Sequence, residues 1–217
     1  MPMLEEEVRK EATDFLGDLP HPVRLVMFTQ ELECDFCAET RQLVEEIAEL
    51  SDQITAEILD FVEDEDQAQA LGVDKIPAVA IIGTEDYGVR IYGIPSGYEF
   101  TSFLYAIRMV SAGTTELSDA MLETLETVDQ PVHMQVFVTP TCPYCPQSVI
   151  MAHQMAIASP MVRGDMVEAT EFPHLSQKYQ VMGVPRTVIN ESVHIEGAAP
   201  EEMIIDKLKE ALSNTEE

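Results

Sequence analysis

The chain has 217 residues, 46% of them hydrophobic, which is enough for one large domain or two small ones with cores of their own. Forty Asp and Glu stand against twelve Lys and Arg, for a formal net charge of −28, and such a field repels nucleic acid and anionic lipid surfaces, so neither is an expected partner. No apolar run approaches the roughly 18 residues that span a bilayer, and the acidic start MPMLEEEVRKEATDF is unlike a signal peptide, so a cytoplasmic location is expected.

A first helix is expected over residues 3–17, followed by a β-branched strand at 23–29 that runs into the cysteine pair Cys34 and Cys37. A helix of about 37–50 follows, in which QLVEEIAEL carries apolar residues at the i, i+3, i+4 spacing. Next come a strand at ITAEILDF, a short helix ending near Leu71, a proline at 77, two short strands AVAII and VRIY, and a helix at GYEFTSFLYAIRMV. The helical pattern is interrupted in SAGTTELSD, which sets an expected boundary between units 1–113 and 114–217. The second unit reads the same way. It has a leading helix at 115–127, a strand at 132–138, the pair Cys142 and Cys145 opening a helix of about 145–157, and a strand at MVEAT. A short helix to Tyr179, Pro185, the strands TVIN and VHIE, and the helix PEEMIIDKLKEAL complete it.

This is a tandem repeat. RLVMFTQELECDFC lies over MQVFVTPTCPYC, and QALGVDKIPAVAII lies over QKYQVMGVPRTVIN. Cys34 and Cys142 are 108 residues apart, and so are Pro77 and Pro185, with Gln69, Val73 and their counterparts Gln177 and Val181 in register between them. Each Cys-x-x-Cys is thus followed by an aliphatic-Pro dipeptide at one fixed distance.

Four cysteines in a reducing compartment are metal ligands or redox centres more often than structural staples. A strand, a Cys-x-x-Cys opening a helix and a distant aliphatic-Pro before a hairpin resemble the thioredoxin/glutaredoxin fold, and TCPYC resembles the glutaredoxin active site. Two such units in one chain are similar to the protein disulfide oxidoreductases of archaea and some bacteria. The resemblance implies an α/β protein of two tandem thioredoxin-like units, each a mixed four-stranded sheet flanked by helices. It also implies cis bonds at Ile76–Pro77 and Val184–Pro185, lying beside the cysteines, where the main chain of residues 76 and 184 can pair with a bound polypeptide. The implied function is thiol–disulfide oxidoreduction, reducing and also isomerising protein disulfides. The implied electron source is a thioredoxin-reductase-like flavoenzyme or glutathione.

Physical chemistry supports those assignments. Residues i and i+3 of a helix lie on one face, so a Cys-x-x-Cys pair closes and opens with little backbone movement. The first cysteine faces unpaired N–H groups and the positive end of the helix dipole, which favour the attacking thiolate. Cys142 is therefore read as nucleophile and Cys145 as resolving thiol, with Cys34 and Cys37 as counterparts. Tyr144 shapes the exposed rim or simply packs. Arg186 either places positive charge near Cys142 or forms a surface ion pair. Glu31, Glu33 and Asp35 disfavour a thiolate at Cys34, so the C-terminal CPYC is expected to be the main site. Neither unit carries a carboxylate in the strand ahead of its cysteines where thioredoxins keep a buried Asp. The chemistry requires no bound cofactor. The five histidines show no paired metal spacing, so no metal site is expected.

Two rival readings remain at this point. Four cysteines suffice for one structural zinc, but 104 residues separate the pairs, far more than the 15–20 or so usual in ribbon-type sites. A thioredoxin-fold module that binds polypeptides without turnover would need no cysteine pairs.

Overall fold

A computed structural model of the chain describes residues 2–213. The first half contains α1 (Glu6–Leu16), β1 (Val23–Thr29), α2 (Cys37–Ala48), β2 (Ile54–Asp60) and α3 (Glu65–Ala70). It continues with β3 (Ala78–Ile82), β4 (Val89–Tyr92) and α4 (Glu99–Ala112). The second half repeats the order as α5 (Asp119–Glu126), β5 (Val132–Val138), α6 (Cys145–Ala158), β6 (Val162–Glu168) and α7 (Pro173–Lys178). It closes with β7 (Arg186–Ile189), β8 (Val193–Glu196) and α8 (Glu201–Ser213).

Each half orders its four strands as β2-β1-β3-β4 or β6-β5-β7-β8, and the halves do not form separate sheets. β4 pairs in parallel with β6, aligning Val89 with Gly164 and Tyr92 with Val167, so one mixed sheet of eight strands runs through the molecule. Alternation along the strands sorts side chains between two faces. Leu25 and Met27 of β1, Ile91 of β4 and Val136 of β5 face a large core with α1, α2, α4, α5, α6 and α8. Val26, Phe28, Tyr92 and Phe137 face a smaller core beneath the short α3 and α7.

The strand expected at residues 166–170 lies at Val162–Glu168. Its first half, VRGD, has the polar look of a loop because it meets the gap between α3 and α7. Arg163 donates to Asp165 (Nε to Oδ1, 2.8 Å), to the Gly72 carbonyl (2.5 Å) and to the Tyr92 hydroxyl. Arg90 closes the same gap with two bonds to the Leu71 carbonyl. The two guanidiniums thereby satisfy carbonyls at the C-terminal end of α3, where positive charge is favoured. His133 completes the network, with Nε2 2.6 Å from Asp165 Oδ2, and the surrounding donors hold the buried Asp165 carboxyl down at about 2 against the effect of desolvation. On the other face Gly164 lets α6 lie close, since a Cβ there would stand 2.6 Å from the Ala152 carbonyl oxygen.

Candidate active site

The parallel strands β1, β2, β4, β5 and β6 all end at one edge of the sheet, and the antiparallel β3 and β7 begin there. Both cysteine pairs and both Pro residues are therefore carried at that edge. Cys34 joins Cys37, and Cys142 joins Cys145, each as a disulfide with 5.5 Å between Cα atoms. The helix proper starts at the second cysteine of each pair, and the first sits in the preceding turn, where the Cys142 amide donates to the Thr139 carbonyl at 3.1 Å. Cys37, Cys142 and Cys145 are buried, and Cys34 is partly exposed. Each pair closes on itself, and four strand positions separate β1 from β5, which at about 4.8 Å per position is about 19 Å. One tetrahedral four-thiolate zinc site cannot form across that distance.

The bonds Ile76–Pro77 and Val184–Pro185 are both cis. Each proline carbonyl accepts from a glycine at the end of the neighbouring strand, Gly93 for Pro77 (2.9 Å) and Gly197 for Pro185 (2.8 Å). Val184 packs against both core clusters, the larger of which holds Cys142 and Cys145, whereas Ile76 packs against the smaller one. Arg186 pairs with Glu196 of β8. Its register opposite Phe137 puts it on the sheet face away from α6. The cation beside the first proline, Lys75, is likewise turned away, to Asp74 (2.6 Å) and over the Tyr92 ring (3.7 Å). Tyr144 is 67% exposed, Met182 95% and Leu32 79%, so apolar side chains stand in solvent at this edge beside both pairs.

The halves interlock between the two sites. The Tyr98 amide, just before α4, donates to the Pro140 carbonyl (3.0 Å) two residues ahead of Cys142. Gly97 beside it has φ +60°, and a Cβ at that position would strike the same Pro140 carbonyl. Glu99 follows in the first turn of α4 and is 1% exposed. Ser102 donates to one carboxyl oxygen, the other is buried without a partner, and burial pushes the pKa up to about 7. The sequence pattern does contain a signal for Glu99: the stripe of buried Phe103, Ala106, Ile107 and Val110 on α4 projects back onto it at helical spacing. A lone acid on an apolar stripe is buried. Gly97 is missed because its need for a left-handed backbone arises from a contact 43 residues away in sequence.

Fold and site together define a thioredoxin-fold protein with two redox-active Cys-x-x-Cys centres. Residues 132–210 match the family described as thioredoxin domain. The crystal structure of a protein disulfide oxidoreductase from Aeropyrum pernix superposes with a TM-score of 0.90 at 30% identity, covering 97% of this chain and 94% of that one. The chain belongs to this family of tandem protein disulfide oxidoreductases and is a thiol–disulfide oxidoreductase. It is also similar to the alkyl hydroperoxide reductase AhpF. A structure of AhpF from Enterococcus faecalis gives a TM-score of 0.85 at 26% identity, covering 94% of this chain and 98% of that one. The Escherichia coli AhpF is 27% identical over 188 residues, which are 87% of this chain but 34% of that protein. The chain thus spans about a third of the length of the curated relatives it matches. No helix among the described residues is long and apolar enough to cross a membrane.

Proposed function

We propose that the chain reduces disulfides of client proteins, chiefly through Cys142 and Cys145. A client disulfide is attacked by the Cys142 thiolate, giving a mixed disulfide and a client thiolate that takes up a proton. Cys145 then loses its proton and displaces the second client sulfur, leaving the Cys142–Cys145 disulfide for an external reductant. Isomerisation follows the same first step when the client's own thiolate resolves the intermediate. Val184 and Pro185, with Ile76 and Pro77 at the first pair, offer the main chain to the client, while Tyr144 and Met182 supply apolar contact. The observation that carries this reading is the setting of the second pair. Cys142 has the neutral neighbours Thr141 and Pro143, while the protonatable Glu99 stands in the turn of α4 that is bonded to the Pro140 loop.

The electron donor in this reading is a thioredoxin-reductase-like flavoenzyme. The similarity to the longer alkyl hydroperoxide reductase AhpF and to a Bacillus subtilis protein named NADH dehydrogenase supports it. Charge argues against glutathione, whose two carboxylates would have to compete with Asp74 and Glu196 for Lys75 and Arg186, the cations next to the cis-prolines in sequence. Insulin reduction driven by dithiothreitol tests the site: Cys142→Ser abolishes most of it, Cys34→Ser leaves most of it, and the opposite pattern removes the assignment. Turnover with a flavoenzyme and pyridine nucleotide, compared with glutathione and its reductase, tests the donor.

A further inference from the structure

We infer that Glu171, a residue of the second half, holds the proton exchanged at the first disulfide, Cys34–Cys37. The inference rests on the redox reading above. Glu171 follows β6 and reaches across the junction between the halves, where its Oε1 accepts from the Ile94 amide at 2.8 Å. Ile94 is next to Gly93, whose own amide holds the carbonyl of the cis-proline of the first site, Pro77, at 2.9 Å. Gly93 has φ +87°, and a Cβ there would stand 2.9 Å from Glu171 Oε1 and 2.6 Å from the Glu168 Cβ, so this glycine leaves room for the carboxyl group. The second oxygen, Oε2, is buried with no partner, which suits a carboxyl that exchanges a proton. The charged groups that act on it are Glu168 at the end of β6 and Glu39 in the first turn of α2, two residues beyond Cys37. Both are negative, and with burial as the largest cause they push the Glu171 carboxyl up to about 7.

The proton balance closes. A dithiol donor with one thiolate attacks Cys34, forming a mixed disulfide and releasing Cys37 as thiolate. Cys37 takes the Glu171 proton, directly or through one water, and Glu171 is left ionised. The donor's remaining thiol gives its proton to Glu171, attacks its own mixed-disulfide sulfur and leaves as a disulfide, freeing Cys34 as thiolate. The disulfide of the protein has gained two electrons, and Glu171 has returned to its starting form. The arrangement is crosswise. Glu99 of the first half follows the Tyr98 amide that bonds Pro140, two residues ahead of Cys142. Glu171 of the second half bonds Ile94, next to the glycine that holds Pro77, and feels the charge of Glu39 two residues beyond Cys37.

The test uses the chain with Cys142→Ser and Cys145→Ser, which keeps only the first pair, and follows its reduction by dithiothreitol against pH. The rate constant per donor thiolate should fall as pH rises through about 7, the value to which the carboxyl is pushed. In Glu171→Gln, which keeps the acceptor for the Ile94 amide, that step should disappear and the rate at about pH 6 should drop about tenfold, with Glu171→Asp restoring part of it. A Gln variant with an unchanged profile would overturn the inference. So would a change confined to the complementary chain that keeps only Cys142–Cys145. Since the readout involves no client protein, it stands or falls apart from the insulin assay.

Discussion

Cys34 is flanked by Glu31, Glu33 and Asp35, all exposed, whereas Cys142 has only neutral neighbours and is closer to fully buried. Two effects oppose each other here. Nearby negative charge raises the Cys34 thiol pKa, and burial in apolar surroundings raises that of Cys142. One pKa unit is about 1.4 kcal/mol, within reach of three carboxylates even when partly screened, so Cys34 should titrate above Cys142. Only the charge contribution responds to salt, so lowering ionic strength should widen the gap. Iodoacetamide alkylation against pH, in chains that each keep one pair, reads both results, and a Cys34 that reacts at the lower pH would show that its acidic neighbours do not decide the order. A Cys34 that titrates higher would also make the first pair the more reducing, so electrons would run from Cys34/Cys37 to Cys142/Cys145 wherever the pairs communicate.

Glu99 gives a second prediction at this scale. Its folded value of about 7 lies above the ordinary 4.5 of a free glutamate, so the folded chain holds a proton that the unfolded chain has lost. Stability from this group is full below about 4.5 and falls as pH rises to about 7, by on the order of 3 kcal/mol in total. Glu99→Gln removes that slope. Relative to the parent, the variant should gain in Tm between mildly acid and mildly alkaline buffer, and a constant difference across that range would count against a buried protonated Glu99.

At the scale of elements, the junction between the CPYC loop and α4 depends on Gly97. Its left-handed backbone disfavours any side chain, and a methyl group would meet the Pro140 carbonyl. Gly97→Ala should cost about 1–3 kcal/mol, as overpacked sites do. It should also slow reduction of Cys142–Cys145 more than that of Cys34–Cys37, measured on the two single-pair chains. Most of the elements that build this junction are legible in the sequence, because β-branched alternation and amphipathic spacing are local properties. β6 is the exception: Arg163, Gly164 and Asp165 look like loop residues, and only the uncovered gap and the close approach of α6 make them a central strand. The two cysteine pairs and the two cis-prolines are legible from spacing and resemblance. Arg186 is not, since its position after the proline says nothing of which sheet face it takes. Glu171 is silent for a similar reason, because its partners Ile94 and Glu39 belong to the other half.

For the whole molecule, a net charge of −28 on one compact sheet makes self-repulsion a standing opponent of folding. Salt near 1 M shortens the screening length to about 3 Å, so Tm should climb steadily with potassium chloride and level off near that concentration. A flat response would mean that the acids are already neutralised within the fold. The continuous sheet has a further effect on traffic between the pairs. The strands that lead into the two disulfides, β1 and β5, are held about 19 Å apart by the strand spacing on one rigid strip, which keeps each pair from the other. Electrons that pass between the pairs therefore need a dithiol carrier that is oxidised at one pair and reduced at the other. Two centres that never touch would thus behave, towards any such carrier, as adjacent stops on a single line.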